Sequence, residues 1–217
     1  MRSRLAPGAR LAPDEELAER GKGEGRTLII ACGALAREIL FLRKMHGRDD
    51  IDLHCLPASW HNTPQYITEG LRARIRQGRA QGYERIFAAY ADCGTGGGID
   101  AMLAQEGVER LPGAHCYAFY TGVETFMERL EEDARCFFLT DYLVRNFDTL
   151  IIKGMMLDDH PELLEEYFGN YEKLVYLAQS EDEDLTARAR AAADRLGLVF
   201  ERRFTGLGDL EPPLAGS

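Results

Sequence analysis

Residues 27–45 read TLIIACGALAREILFLRKM. The opening TLIIAC is an apolar, β-branched run that stops at Cys32-Gly33, and beyond it apolar residues return at the spacing of a helix face. A strand, a tight turn and a helix are expected. The same grammar recurs at 85–107, RIFAAYADCGTGGGIDAMLAQEG, where a strand runs into Asp92-Cys93, a glycine-rich turn and a short helix. Between them IDLHCLP is a short strand stopped by Pro57, ASWHNTP is a loop, and Tyr66 to Arg79 has helical spacing.

Outward from this core, helices are expected at Gly122 to Glu132, Asp141 to Asn146, Pro161 to Tyr167 and Asp182 to Leu196. Strands are expected at Arg135 to Leu139, Thr149 to Ile152, Lys173 to Ala178 and Leu198 to Arg203. Strands alternating with helices predict an α/β fold of three-layer, Rossmann-like type, a mostly parallel sheet with helices on both faces. One core can fill a chain of 217 residues. Residues 26–210 are therefore expected to form a single α/β domain. Residues 1–25, rich in Pro, Gly and charge, are expected to be a tail without fixed structure, and 211–217 a short C-terminal tail.

The chain has 36 acidic and 26 basic side chains, a net charge of −10. Such a surface repels phosphate backbones and anionic lipid, so nucleic acid and membrane are not expected as partners. The basic strip Arg72, Arg74, Arg76 and Arg79 reads as a solvated helix face. No run approaches the roughly 18 apolar residues that span a bilayer, and the N-terminus lacks the apolar stretch of a secretory signal. A cytoplasmic location is expected. The five cysteines, Cys32, Cys55, Cys93, Cys116 and Cys136, are then reduced thiols rather than a disulfide framework.

In open parallel sheets ligands collect outside the carboxyl ends of the strands. Cys32 follows the first strand, His61 lies after the second and Cys93 follows the third, so all three share one edge. Thiolates with imidazole are a zinc ligand set, and thiolates alone suit an iron–sulfur cluster. Cys32 and Cys93 with Cys116 as third thiolate make such a site, with His115 and His61 as alternative ligands. Cys55 and Cys136 read as buried. Gly94, Thr95, Gly96 and Gly97 precede a helix, where bare amides suit a phosphate or carboxylate of a cofactor, although the turn matches neither the dinucleotide fingerprint nor the phosphate loop. A thiol beside those amides has a lowered pKa, so Cys93 equally suits a nucleophile served by His61 or His115 as base. Farther on, Tyr167, Tyr171, Thr205 and Gly206 read as packing and a loop. Asn170 and Arg203 are candidates to meet a carboxylate, and His160 reads as a helix start.

The segments LIIACGALARE, LPASWHNTP, YADCGTGGGID, GAHCYAF, FGNY and RFTGLG together resemble the family called domain of unknown function 1638, over about residues 26–210. The resemblance points to Cys32, His61, Asn62, Asp92, Cys93, Gly94, Thr95, Gly96, Gly97, His115 and Cys116. It also implies a genomic association with corrinoid-dependent methyltransferases of methylamines and betaines.

Three functional readings follow. The leading one is a metal-binding protein, zinc or iron–sulfur, of corrinoid-linked one-carbon metabolism, with a small-molecule substrate or a corrinoid or methyltransferase protein as partner. The second is a metal-free transferase or hydrolase with Cys93 as nucleophile. The third is a non-catalytic partner of a methyltransferase system.

Overall fold

The computed structural model of the protein describes residues 23–211. The chain forms two all-parallel sheets flanked by helices, each with its own hydrophobic core. The α/β, Rossmann-like reading holds, with the parallel strands shared between the two.

The first half runs β1 (Thr27–Cys32), α1 (Ala36–Met45), β2 (Ile51–Leu56), α2 (Ile67–Ala80), β3 (Arg85–Ala89), α3 (Gly98–Glu106) and β4 (Glu109–Arg110). Its strand order is β2-β1-β3-β4. Thr27 of β1 lies opposite Ile51 of β2 on one side and Arg85 of β3 on the other. As a central parallel strand covered on both faces, β1 is buried from Leu28 to Cys32. The chain leaves β1 for one neighbour and then crosses to the other, so the direction of strand addition reverses between β1 and β3. A ligand crevice in a sheet of this kind opens at that reversal.

Helix α2 buries Ile67, Leu71, Ile75 and Gly78. A Cβ on Gly78 would stand 2.5 Å from Leu28 Cδ2, which is why the helix needs glycine there. The arginine strip ties α2 to the end of α3: Arg76 and Arg79 reach the Glu106 carboxylate at 2.9 and 2.8 Å, and Arg72 reaches Gln105 at 3.3 Å.

The short helices α4 (Cys116–Thr121) and α5 (Val123–Glu128) lead into the second half. It comprises β5 (Cys136–Thr140), α6 (Asp141–Arg145), α7 (Leu163–Phe168), β6 (Lys173–Ala178), α8 (Glu183–Leu196) and β7 (Val199–Phe204). Its order, β5-β6-β7, follows the sequence without reversal. The strand expected at Thr149 to Ile152 is instead a π-helix, Asp148–Lys153. Four residues are too short a run to show a period, and burial of Ile151 and Ile152 in the second core overrides their β preference.

After β7 the chain returns to the first half. Leu210 is buried in the first core, the Asp209 carboxylate accepts the Val123 amide at 2.8 Å, and Glu211 meets His46 Nε2 at 3.2 Å. Gly208 passes so close to α4 that a Cβ would stand 2.3 Å from the Phe119 carbonyl oxygen. The chain thus crosses the seam between the sheets twice. Of the expected tails, residues 1–22 and 212–217 lie outside the described residues. Gly23 is already seated, its amide on the Gln81 carbonyl at 3.0 Å. No helix among the described residues is long and apolar enough to cross a membrane.

Candidate active site

Beyond β3 the backbone continues extended to Asp92, whose amide donates to the Gly113 carbonyl at 3.1 Å, while the Cys93 amide donates to Ala114 at 3.0 Å. These two bonds lay the segment before α4 alongside the end of β3, and so bring Cys93 next to Cys116, the first residue of α4. Arg110 braces that segment from behind, donating to the carbonyls of Leu111 at 2.8 Å and Gly113 at 3.1 Å while paired with Asp100 at 2.6 Å.

Cys93 has φ +48°, in the left-handed region where a residue with a Cβ is strained by about 1–3 kcal/mol. The following turn holds it there. The Asp92 carboxylate accepts from Thr95 Oγ1 at 2.6 Å, Gly97 N at 2.8 Å and Gly96 N at 3.1 Å. Partial burial opposes ionisation of Asp92, but these donors hold its carboxyl below the ordinary range. Of the amides expected to cradle an anion of a cofactor, those of Gly96 and Gly97 are engaged by the chain's own carboxylate and that of Thr95 by the Asp92 carbonyl. Gly94 to Gly97 support the thiol from behind rather than line the cavity in front of it.

The Cys93 and Cys116 sulfurs are 3.3 Å apart. The hydrogen bond with Cys116, with a further hydrogen bond and favourable charge from His61, holds Cys93 well below the ordinary thiol range against the opposing effect of burial. Cys116 is pushed correspondingly up, first by the same hydrogen bond and then by burial. Of the two, Cys93 is the more readily ionised. Cys32, at the end of β1, is raised to about 11 by burial, and Tyr90 is hydrogen bonded to it. His61 stands edge-on to His115, ring centres 5.0 Å apart. His115 caps α4 by accepting the Tyr117 amide on Nδ1 at 3.4 Å, which leaves its proton on Nε2, and burial lowers its pKa to about 3.

In front of these groups lies a cavity of about 230 Å³ at the seam between the sheets. The first half contributes Cys32, Cys93, Cys116, His61, Asn62, His115 and the rings of Tyr90, Tyr117 and Tyr120; the second contributes Phe137, Thr140, Tyr142, Leu143, Leu150, Ile151 and Met155. The wall is mainly aromatic and aliphatic, which suits a small ligand with a large apolar part. The π-helix supplies Leu150 and Ile151 to it, a role such irregular turns often have.

Sequence reasoning therefore named the thiols and imidazoles of the cavity, and missed the tyrosines and everything from the second sheet. Tyr117 and Tyr120 were within reach, since they follow Cys116 in one short helix. Cys55 and Cys136 are buried and line no part of the cavity. Arg203 meets carboxylates of its own chain, Asp133 at 2.7 and 2.8 Å and Glu201 at 2.6 Å. The Asn170 carbonyl accepts from Arg135 at 3.1 Å, and His160 pairs with Glu162 at 3.1 Å.

The thiols of Cys93 and Cys116 and the imidazole of His61 are the donors on which a zinc or iron centre would draw. Among the described residues no three His, Cys, Asp or Glu side chains form a group able to hold a metal ion.

No curated protein and no solved structure matches the chain. The family model described as "Protein of unknown function (DUF1638)" matches residues 55–214. The match takes in His61, Cys93, Cys116 and the whole second sheet, and leaves out β1 with Cys32. Because it covers well over half of the 217 residues, the chain belongs to this family.

Proposed function

We propose that the protein is a thiolate-dependent transferase or hydrolase in which Cys93 attacks a small, largely apolar substrate held between the two sheets. The observation that carries this reading is the placement of Cys93, strained in its backbone, with the Cys116 sulfur 3.3 Å away and His61 beside it, at the wall of the seam cavity. In the step, a bond forms between Cys93 Sγ and the electrophilic carbon as the bond to the leaving group breaks. His61, beside the sulfur, supplies the proton that the leaving group takes. The one-carbon setting implied by the family resemblance suggests an alkyl group as cargo and a corrinoid or methyltransferase protein as partner.

A zinc or iron–sulfur centre is the second reading. The close pair of thiols with His61 at Cys93 favours it, and it requires a further ligand beyond those the site gathers.

The test is to purify the protein without oxygen or added metal, measure zinc, iron and acid-labile sulfide, and map iodoacetamide adducts by mass spectrometry. Cys93 should be alkylated before the other cysteines, with a rate that persists below the ordinary thiol pH range. Near-stoichiometric metal that disappears on replacing Cys93 and Cys116 would turn the assignment to the second reading. Neither metal nor a reactive Cys93 would leave a non-catalytic partner of a methyltransferase system.

A further inference from the structure

Among the described cysteines, Cys93 and Cys116 have their sulfurs within 3.3 Å of each other. They come from separate segments, the end of β3 and the start of α4, held side by side by the amide bonds of Asp92 and Cys93 to Gly113 and Ala114. Closure to a disulfide needs the sulfurs to approach to about 2.05 Å. The remaining approach is a little over 1 Å, between a residue in a turn and a partner on the first turn of a helix.

We propose that Cys93 and Cys116 are a reversible dithiol–disulfide couple, oxidised by small hydroperoxides that enter the seam cavity, and that closure switches the site off. This regulatory role rests on the reading of Cys93 as the nucleophile. The chemistry balances without a metal. The Cys93 thiolate attacks the terminal oxygen of the hydroperoxide, the O–O bond breaks, and the alcohol leaves with a proton from solvent, giving a sulfenic acid at Cys93. The Cys116 sulfur then attacks Cys93 Sγ, the S–O bond breaks, and the hydroxide leaves as water with the proton of Cys116. One hydroperoxide is reduced to an alcohol and water as two thiols become one disulfide. A dithiol reductant returns two electrons and two protons and restores the pair.

The division of labour follows from the surroundings. Cys93 is the sulfur with a stabilised negative charge and leads the attack. Cys116, its sulfur 3.3 Å away, is placed to resolve the sulfenic acid. Cys32 faces the same cavity with Tyr90 hydrogen bonded to it, and serves as the internal comparison.

The experiment uses the full chain, reduced and desalted without oxygen, then treated with hydrogen peroxide, blocked with iodoacetamide and mapped without reduction. The expected result is the loss of two alkylatable thiols and a peptide linking 93 to 116. Dithiothreitol should reverse the link. Cys32→Ser should leave the link intact, whereas Cys116→Ser should abolish it and leave a Cys93 sulfenic acid that dimedone traps. A peroxide-treated wild-type protein in which Cys116 remains a free thiol, or in which Cys93 is joined to Cys32, overturns the proposal. If Cys93 alkylates rapidly in that same protein, the nucleophile reading survives and only the couple fails. If the link forms but Cys93 shows no reactivity with iodoacetamide, the couple stands and the nucleophile reading falls.

Discussion

Both sheets direct the carboxyl ends of strands to the seam, but they treat buried polar groups there in opposite ways. At the end of β5 the buried Asp141 carboxylate is fully answered: Tyr176 and Ser180 hydroxyls each donate at 2.6 Å and the Gln179 amide at 3.0 Å. At the end of the first sheet, Cys93 is held in a strained backbone, Tyr120 buries a hydroxyl without a partner among the described residues, and one oxygen of the buried Glu38 carboxyl is likewise unpaired. Burial keeps the Glu38 pKa raised. A satisfied carboxylate fixes the structure, whereas unsatisfied groups and strain mark where a ligand is to be met. The difference coincides with topology, because only the first sheet reverses its direction of strand addition.

The largest expected effect separates the two sides chemically. Cys93→Ser should slow iodoacetamide modification of the native protein on the order of 100-fold, since only a stabilised thiolate reacts quickly at neutral pH. A fall of less than about tenfold, with adducts on Cys32 or Cys116, would assign the nucleophile elsewhere.

Asp141→Leu tests the other side. It leaves the Tyr176 and Ser180 hydroxyls without their acceptor and should destabilise the protein by about 3 kcal/mol in urea unfolding. The alkylation rate of Cys93 in folded protein should be unchanged; an equal change there would show that the two edges act as one network.

Cys116→Ala removes the donor to the thiolate, a charged hydrogen bond worth about 1.5–3 kcal/mol. The midpoint of the Cys93 alkylation profile should rise by about 1–2 pH units. A midpoint that stays in place would mean that His61 alone sets the charge.

A pH titration divides the halves again. Burial first, and then the nearby Arg74 charge, lower His54 on β2 to about 4 from an ordinary 6.5. Because the folded chain buries the neutral imidazole, its stabilising contribution is complete above pH 6.5 and is lost as pH falls towards 4, a difference of roughly 3 kcal/mol. Hydrogen exchange through β1, β2 and β3 should accelerate over that interval before it does in β5, β6 and β7, and His54→Gln should flatten the decline.

The smallest effect concerns the support of the thiol. Gly97 has φ +84°, and Gly97→Ala should destabilise by about 1 kcal/mol, read as a shifted urea midpoint.

Most strands were legible because TLIIAC, IDLHCL, RIFAA and KLVYLA are short apolar runs bounded by turns. The division into two sheets was not, since periodicity reports which face of a strand is buried and is silent on which strands are neighbours. The meeting of Cys93, Cys116 and His61 followed from their places after strands and beside one another at a common edge. The glycine turn misled because its bare amides drew the reading towards an external anion. The Asp-Cys-Gly-Thr order carried the correction, an aspartate positioned to bond the amides of its own turn. The second sheet's share of the cavity wall is contributed by Phe137, Tyr142 and Ile151, residues that look like ordinary core until the halves are brought together.

The return of the chain through Gly208 to Leu210 gives the seam a mechanical character. A pair of bodies joined by one covalent strand can swing apart like a jaw. Here the backbone crosses near 122–135 and again near 205–210, and Leu210 anchors the second crossing in the core of the opposite half. The two crossings lie side by side, the Asp209 carboxylate accepting the Val123 amide at 2.8 Å, so the halves are held by a doubled strap whose second strand leaves only if Leu210 is pulled out of the opposite core.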